Sequence, residues 1–361
     1  MSLSKGIPLG LIWLSLVVRP AAAAGPLGAV EKREAVQAIA RIYREQYVYP
    51  DVAEKMASLI LSREREGKYA DFRDGKELAR QLTMDLYTVS QDRHVTVAYT
   101  PERIARRKAM SADQLAAEEM QEARRRNFGF AEARVLDGQV GYLKMTYFDG
   151  SAEAFAAASG ALSLLAHCDA LILDVRFNPG GDAAMAQFLA SYFLPGPAVL
   201  LDQFHYRQGG RVNQLWSLPH VPGRRLTQTD LYILIDRYTF SAAEGLAYDL
   251  QALKRAVVVG EPSVGGAHVA ETRTALDRYL LFVPVGYSRN PVTGTNFEGK
   301  GVQPDFPATG PTALDQAHLQ ALTQLQEKGS NAGRRQELDQ VRKAVQARIA
   351  AAPAPPLKKA E

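Results

Sequence analysis

Two stretches decide the fold: Ala170–Asp182, ALILDVRFNPGGD, and Leu231–Gly245, LYILIDRYTFSAAEG. Each starts as a near-continuous apolar run, the pattern of a strand covered on both faces. Each then turns, the first at Asn178-Pro179-Gly180-Gly181 and the second just before Ser241. Each goes on into a predicted helix, over Asp182–Phe193 and Ser241–Lys254. A strand handing its chain to a helix, twice, is the unit of an α/β sheet.

Working outward, Ala256–Val259 (AVVV) reads as the next strand, and Val140–Met145 with the helix Ala152–His167 comes before. The alternation predicts a mixed or parallel sheet with right-handed crossovers. Upstream, Val30–Tyr47, Val52–Arg65 and Lys76–Val89 have helical spacing; Val36, Ile39, Ile42 and Tyr43 mark the first, and the Tyr49-Pro50 step ends it. Residues 102–126 are charged and helical in pattern, a solvated face in which Glu118, Glu119 and Glu122 offset Arg124-Arg125-Arg126. Residues 270–305 are rich in strands and turns, 313–350 return to helix, and the Ala/Pro/Lys tail from Ala351 is expected to be disordered. The Gly-, Pro- and Arg-rich stretch 198–230 reads as a loop. There is no internal repeat.

The chain has 361 residues, 47% hydrophobic and 23% charged, enough for a large core and two domains. The formal net charge of +4 is too small to suggest a nucleic-acid partner. Two of those positive charges, Lys5 and Arg19, flank the apolar run Ile7–Val18, and Ala21–Ala24 supplies an A-x-A cleavage signal. Residues 1–24 therefore read as a signal peptide whose apolar run is too short to span a bilayer comfortably, which predicts a periplasmic or secreted protein without a stable membrane span after cleavage. The single cysteine, Cys168, excludes an intrachain disulfide and reads as a packing residue.

Ser241 opens a helix with Glu244 three residues on, so the local pattern is first of all a capping box. The same geometry holds a hydroxyl exposed at a strand-to-helix turn, with the Ala242 amide at the positive end of the helix dipole. Gly180 and Gly181 follow another strand end, where backbone amides can come close to a substrate carbonyl. Paired, the two turns supply oxyanion donors on one rim. A serine nucleophile needs a base. Of the six histidines, His167 and His318 lie in helical stretches and His205 and His220 in the loop 198–230. His94, where the helices meet the short strand VTVAY, and His268, after Gly265-Gly266, remain, and pattern alone does not choose between them. No H-E-x-x-H, cysteine pair or histidine cluster indicates a metal, and no Walker loop or G-x-G-x-x-G indicates a nucleotide cofactor.

The sequence resembles the tail-specific (C-terminal-processing) serine peptidase superfamily. Within it, the chain is most similar to the branch of the interphotoreceptor retinoid-binding protein modules and the tricorn-core-like peptidases. The matching stretches are Asp92-Arg93-His94-Val95, Asn127-Phe128-Gly129-Phe130, Val140-Gly141-Tyr142-Leu143, LILDVRFNPGGD (171–182), YTFSAAEGLAYDLQALKRAVVVGE (238–261), GGAHV (265–269) and NPVTGTNFEGKGVQPDF (290–306). They run in the family's order over about residues 30–325. The resemblance implies an α/β fold: a mixed sheet with flanking helices (a crotonase-like or ClpP-like core) plus a small N-terminal three-helix domain. It also implies peptide or protein substrates and no cofactor. The expected organisation is a signal peptide (1–24), an N-terminal helical domain (29–98) and a helical linker (99–127) too short for a PDZ domain. A peptidase-like core (128–325) and a C-terminal helix and tail (326–361) follow.

By resemblance, Ser241 is the nucleophile, the amides of Gly180 or Gly181 and of Ala242 form the oxyanion hole, His94 is the base, and Glu298, shortly before Gly301-Val302-Gln303-Pro304-Asp305, supports it. The PDZ-bearing branch has a Lys base in the loop that here reads Val264-Gly265-Gly266-Ala267, which argues against a Ser–Lys dyad. The tricorn-like branch has a Ser beside its His where this chain has Arg93. His268 and Glu244 stand as alternative base or supporting groups. Two other readings remain: a binding module for an apolar, retinoid- or lipid-like ligand on the same scaffold, and a plain interaction protein.

Overall fold

The computed structural model describes residues 27–329 and 331–352. The expected signal peptide and the tail from residue 353 lie outside them. No described helix is long and apolar enough to cross a membrane.

The apolar runs build a six-stranded sheet. In chain order its strands are β2 (Phe130–Leu136), β3 (Val140–Met145), β4 (Ala170–Asp174), β7 (Asp230–Ile235), β8 (Ala256–Gly260) and β11 (Phe306–Pro307), arranged β11-β8-β7-β4-β3-β2. β3, β4, β7, β8 and β11 pair in parallel, and β2 closes the edge as an antiparallel strand. Side-chain alternation divides the sheet between two cores. Leu171, Leu173, Leu231, Ile233 and Ile235 pack with α6 (Ala152–Leu164), α7 (Ala183–Phe193) and α8 (Ala242–Ala252). Ala170, Ile172, Tyr232 and Leu234 pack on the other face with α9 (Ala313–Glu327) and α10 (Ala332–Ala351). Each fully buried Leu or Ile contributes about 1.5–3 kcal/mol. The mixed α/β sheet with flanking helices is therefore present as expected.

A second, five-stranded antiparallel sheet stands beside the first. It is made of β1 (Thr96–Tyr99), β5 (Leu200–Tyr206), β6 (Val212–Trp216), β9 (His268–Ala275) and β10 (Tyr279–Arg289). The three N-terminal helices, α1 (Ala29–Gln46), α2 (Pro50–Arg65) and α3 (Gly75–Ser90), pack on it. Ile39, Tyr43, Met56 and Leu82 share one core with Val97, Leu281 and Val283. The expected loop 198–230 is corrected here: its first half is the β5–β6 hairpin, and His205 is a strand residue stacked on Tyr287. The charged stretch after β1 is two helices, α4 (Pro101–Ala109) and α5 (Ala112–Arg125). Ser111 caps the second by accepting from the Gln114 amide.

Candidate active site

The two turns singled out in the sequence lie outside the carboxyl ends of neighbouring parallel strands, β4 and β7, and are tied to each other. Phe240 N donates to the Asn178 carbonyl, Thr239 Oγ1 to the Val175 carbonyl, and Phe177 N to Asp236 Oδ1. The lock places Gly180 where a Cβ would come within 2.8 Å of Ala242 N and 2.9 Å of Ser241 Cβ. Glycine is the residue that fits.

Ser241 sits at the N-cap of α8 with φ 55° and ψ −125°, strained for a residue with a side chain. Glu244 holds it there. Its buried carboxylate accepts from the amides of Ser241 (2.8 Å), Gly265 (2.6 Å) and Gly266 (2.9 Å) and from Ser263 Oγ (2.5 Å). The cap is thus closed from the carboxylate side, and the Ser241 hydroxyl faces an imidazole. Burial raises the Glu244 carboxyl above its usual range, against those hydrogen bonds. Glu244 is a support and not a base, because both its oxygens are engaged away from Ser241 Oγ.

The imidazole is His94, whose Nε2 lies 3.3 Å from Ser241 Oγ. It arrives on the segment between α3 and β1, buried against Phe240 with ring centroids 4.4 Å apart. Arg93 beside it is exposed and leaves the ring's position free. Gly266 gives the ring room, since a Cβ there would come within 2.8 Å of His94 Cε1 and 2.0 Å of the Phe240 ring.

Behind His94 stands Asp92. Its Oδ1 accepts from the His94 amide at 2.9 Å and lies 3.5 Å from His94 Nδ1. Nδ1 makes no hydrogen bond at that distance; a proton carried there would face the carboxylate and leave Nε2 to accept from the Ser241 hydroxyl. Asp92 Oδ2 accepts from His268 Nδ1 at 2.6 Å and from Tyr47 Oη at 3.3 Å. Burial alone would raise the Asp92 carboxyl, but the His268 and His94 contacts prevail and hold it well below the ordinary carboxylate range. His268 moves the other way: burial opposes its charge, yet the Asp92 hydrogen bond raises it above an ordinary histidine.

Three expectations change in detail. The carboxylate beside His94 is Asp92. Glu298 is set back, 3.7 Å from His268 Nδ1, and accepts the Ala267 amide at 2.5 Å. His268 reaches Asp92 and not Ser241, so it is no alternative base in this arrangement. The Gly180 amide is engaged, donating at 2.8 Å to Asn178 Oδ1. Phe148 bridges to the Gly180 carbonyl and the Asp182 amide, so the Gly181 amide stays free for the rim, as does that of Ala242. Asp92 was the residue pattern-reading missed. An aspartate two residues before a histidine can bond that residue's amide, and this Asx-turn spacing was the available signal.

Asp92, His268 and Glu298 also bring three ligand-type atoms within 4.8 Å of one another. Asp92 and His268 are joined by a hydrogen bond, Asp92 also accepts from Tyr47, and Glu298 accepts the Ala267 amide, while His268 Nε2 is buried without a hydrogen-bond partner among the described residues. His318 is elsewhere, bonding the Asp137 carbonyl, and His167, in a turn, and His220, in irregular chain, are exposed.

Residues 139–308 match the model of peptidase family S41, and residues 30–128 match the N-terminal domain of that family in eukaryotic interphotoreceptor retinoid-binding protein. The chain is 28% identical over 171 residues to the chloroplastic carboxyl-terminal-processing peptidase 2 of Arabidopsis thaliana, covering 47% of this chain and 32% of that protein. It is 34% identical over 128 residues to a carboxyl-terminal-processing protease of Synechocystis, covering 35% of this chain and 28% of that protein. The chain thus spans under a third of either relative. Among solved structures, a lipoprotein from Streptococcus agalactiae has the same fold, with a TM-score of 0.55 at 16% identity over 80% of this chain and 96% of that one.

Proposed function

We propose, from the premise that this chain carries the peptidase domain of family S41 behind that family's N-terminal domain, that it hydrolyses peptide bonds of peptides or proteins through an acyl-enzyme on Ser241. The observation that carries this reading is the 3.3 Å approach of His94 Nε2 to Ser241 Oγ, with two free amides on the same rim. Contacts of this kind tighten when substrate fills the site.

In the reaction, Ser241 Oγ attacks the scissile carbonyl carbon while His94 Nε2 takes its proton. The carbonyl oxygen gains the negative charge and is held by the Gly181 and Ala242 amides, each such donor lowering the barrier by about 3 kcal/mol. Asp92 stabilises the imidazolium and fixes its orientation. His94 then protonates the departing amine, leaving the acyl group on Ser241, and water reverses the steps to release it. His268 keeps Asp92 in place and ionised, and Glu298 holds the Ala267 amide beside it.

The apolar-ligand reading has less support, because the cavity at Ser241 is lined by His94, His268, Asp202 and Asp249. The S41 relatives and the apolar run Ile7–Val18 support placing the protein outside the cytoplasm as an exported enzyme. Replacing Ser241 by Ala should remove hydrolysis of a casein-derived peptide mixture while the circular dichroism spectrum is retained. Turnover equal to wild type would refute the proposal.

A further inference from the structure

The cavity of about 310 Å³ beside Ser241 is lined in part by two acidic side chains, Asp202 and Asp249, that the reaction does not use. Helix α8 carries Ser241 at its N-terminus and presents Ala242, Gly245 and Asp249 to the cavity. These positions, three and four apart, form one face, and from Ala242 to Asp249 the helix rises about 10 Å. Gly245 leaves the middle of that face open, for a Cβ there would meet nothing within 4 Å. Strand β5 forms the opposite wall with Asp202 and Phe204, whose alternate spacing puts both on one side of the strand.

Asp202 and Asp249 are 4% and 6% exposed. Each engages one oxygen: Asp202 Oδ1 accepts the Gln203 amide at 2.7 Å, and Asp249 Oδ1 accepts from Asn290 Nδ2 at 2.8 Å. The Ser288 hydroxyl and the Arg289 amide also favour the charged form of Asp202, and among the described residues neither carboxylate has a Lys, Arg or His partner. Ser288, 3% exposed, lines the same cavity beside Asp202. Burial pushes the Asp202 carboxyl up to about 6, and burial together with the charge of Asp202 raises Asp249 well above the usual carboxylate range.

Two desolvated carboxylates without a cationic partner are costly unless something pairs with them. The cavity walls, among them Ala186, Leu215 and Phe297, suit an alkyl stem whose charged head lies deeper. We infer that this cavity receives the side chain on the acyl side of the scissile bond, and that Asp202 and Asp249 select a lysine or arginine there. The inference rests on Ser241 being the nucleophile. An apolar side chain would leave both carboxylates unpaired. A lysine or arginine pairs with them, and its entry releases any proton they share.

The test compares peptide amides that differ only in the residue before the scissile bond: Lys, Arg, norleucine, Leu and Ala. Norleucine matches the lysine stem without its charge. A fluorophosphonate, which has no such residue, reports Ser241 reactivity separately. The expected result is kcat/KM for Lys or Arg at least about 100-fold above norleucine, the size of a buried charge pair. Asp249→Asn and Asp202→Asn should each reduce that ratio at least about tenfold. Norleucine or Leu turned over as well as Lys by a fluorophosphonate-reactive enzyme would overturn the inference alone. A wild-type enzyme inert to fluorophosphonate would overturn the nucleophile reading beneath it. If a variant does not fold, the wild-type Lys-to-norleucine ratio decides.

Discussion

Asp92 and Glu244 are both buried carboxylates close to Ser241, one on each side of it, and they face different partners. Glu244 accepts from three backbone amides and a serine hydroxyl, donors that never change protonation. Asp92 accepts from the His268 ring and the His94 amide and lies against the His94 ring, so two of its neighbours can carry a proton. Burial dominates at Glu244 and raises its carboxyl, whereas at Asp92 the imidazoles outweigh burial and lower it. What surrounds a buried carboxylate, more than its burial, decides whether it shapes a loop or stabilises a charge that appears during reaction.

That contrast can be broken most sharply at Asp92. Asp92→Asn should reduce kcat by about 10²–10⁴-fold through loss of the stabilised imidazolium, and should also lower the melting temperature, because the ionised carboxylate contributes to stability. Steady-state kinetics beside a thermal melt would show it, and a variant with full activity and poor stability would reverse the assignment. The complementary change, Glu244→Gln, sets an NH₂ group against amide donors and should cost about 3 kcal/mol of folding stability, read by urea unfolding. If unfolding is unchanged, Glu244 does not hold the Ser241 and Gly265-Gly266 segments. The smallest expected effect is at Gly266. Gly266→Ala presses a methyl into the Phe240 and His94 rings and should lower kcat about tenfold by displacing the imidazole, with an unchanged rate refuting the close fit.

The pH dependence has a sign of its own. Because the Asp92 carboxyl is held below its unfolded value, its contribution to stability is complete above the ordinary aspartate range near 3.9 and is lost as pH falls below it. Asp202 is raised to about 6, so its contribution falls as pH rises from about 4 to about 6 and then stays low.

The parallel sheet was legible because its strands are covered on both faces and each passes directly into a helix. The second sheet was not. β1 pairs with β10 across more than half the chain, Thr96 opposite Phe282, and no local pattern reports such a pairing. The β5–β6 hairpin was hidden by its polar, partly exposed residues, Gln203, His205, Asn213 and Gln214 among them, and edge strand β2 for the same reason. At the site, the Ser241 turn and the Gly180-Gly181 turn stand out because strand ends carry them, whereas pattern left His94 and His268 undivided and only the resemblance chose His94. Asp92 acts through a contact with His268, 176 positions away, and the Gly180 amide is engaged by a side chain two residues before it.

The most direct test of the account is peptide-resolved mass spectrometry of the protein after treatment with an aryl fluorophosphonate. The account predicts one adduct, on the tryptic peptide containing Ser241, formed at least about 100-fold more slowly in His94→Ala. No adduct, an adduct on another residue, or an undiminished rate in that variant would contradict it.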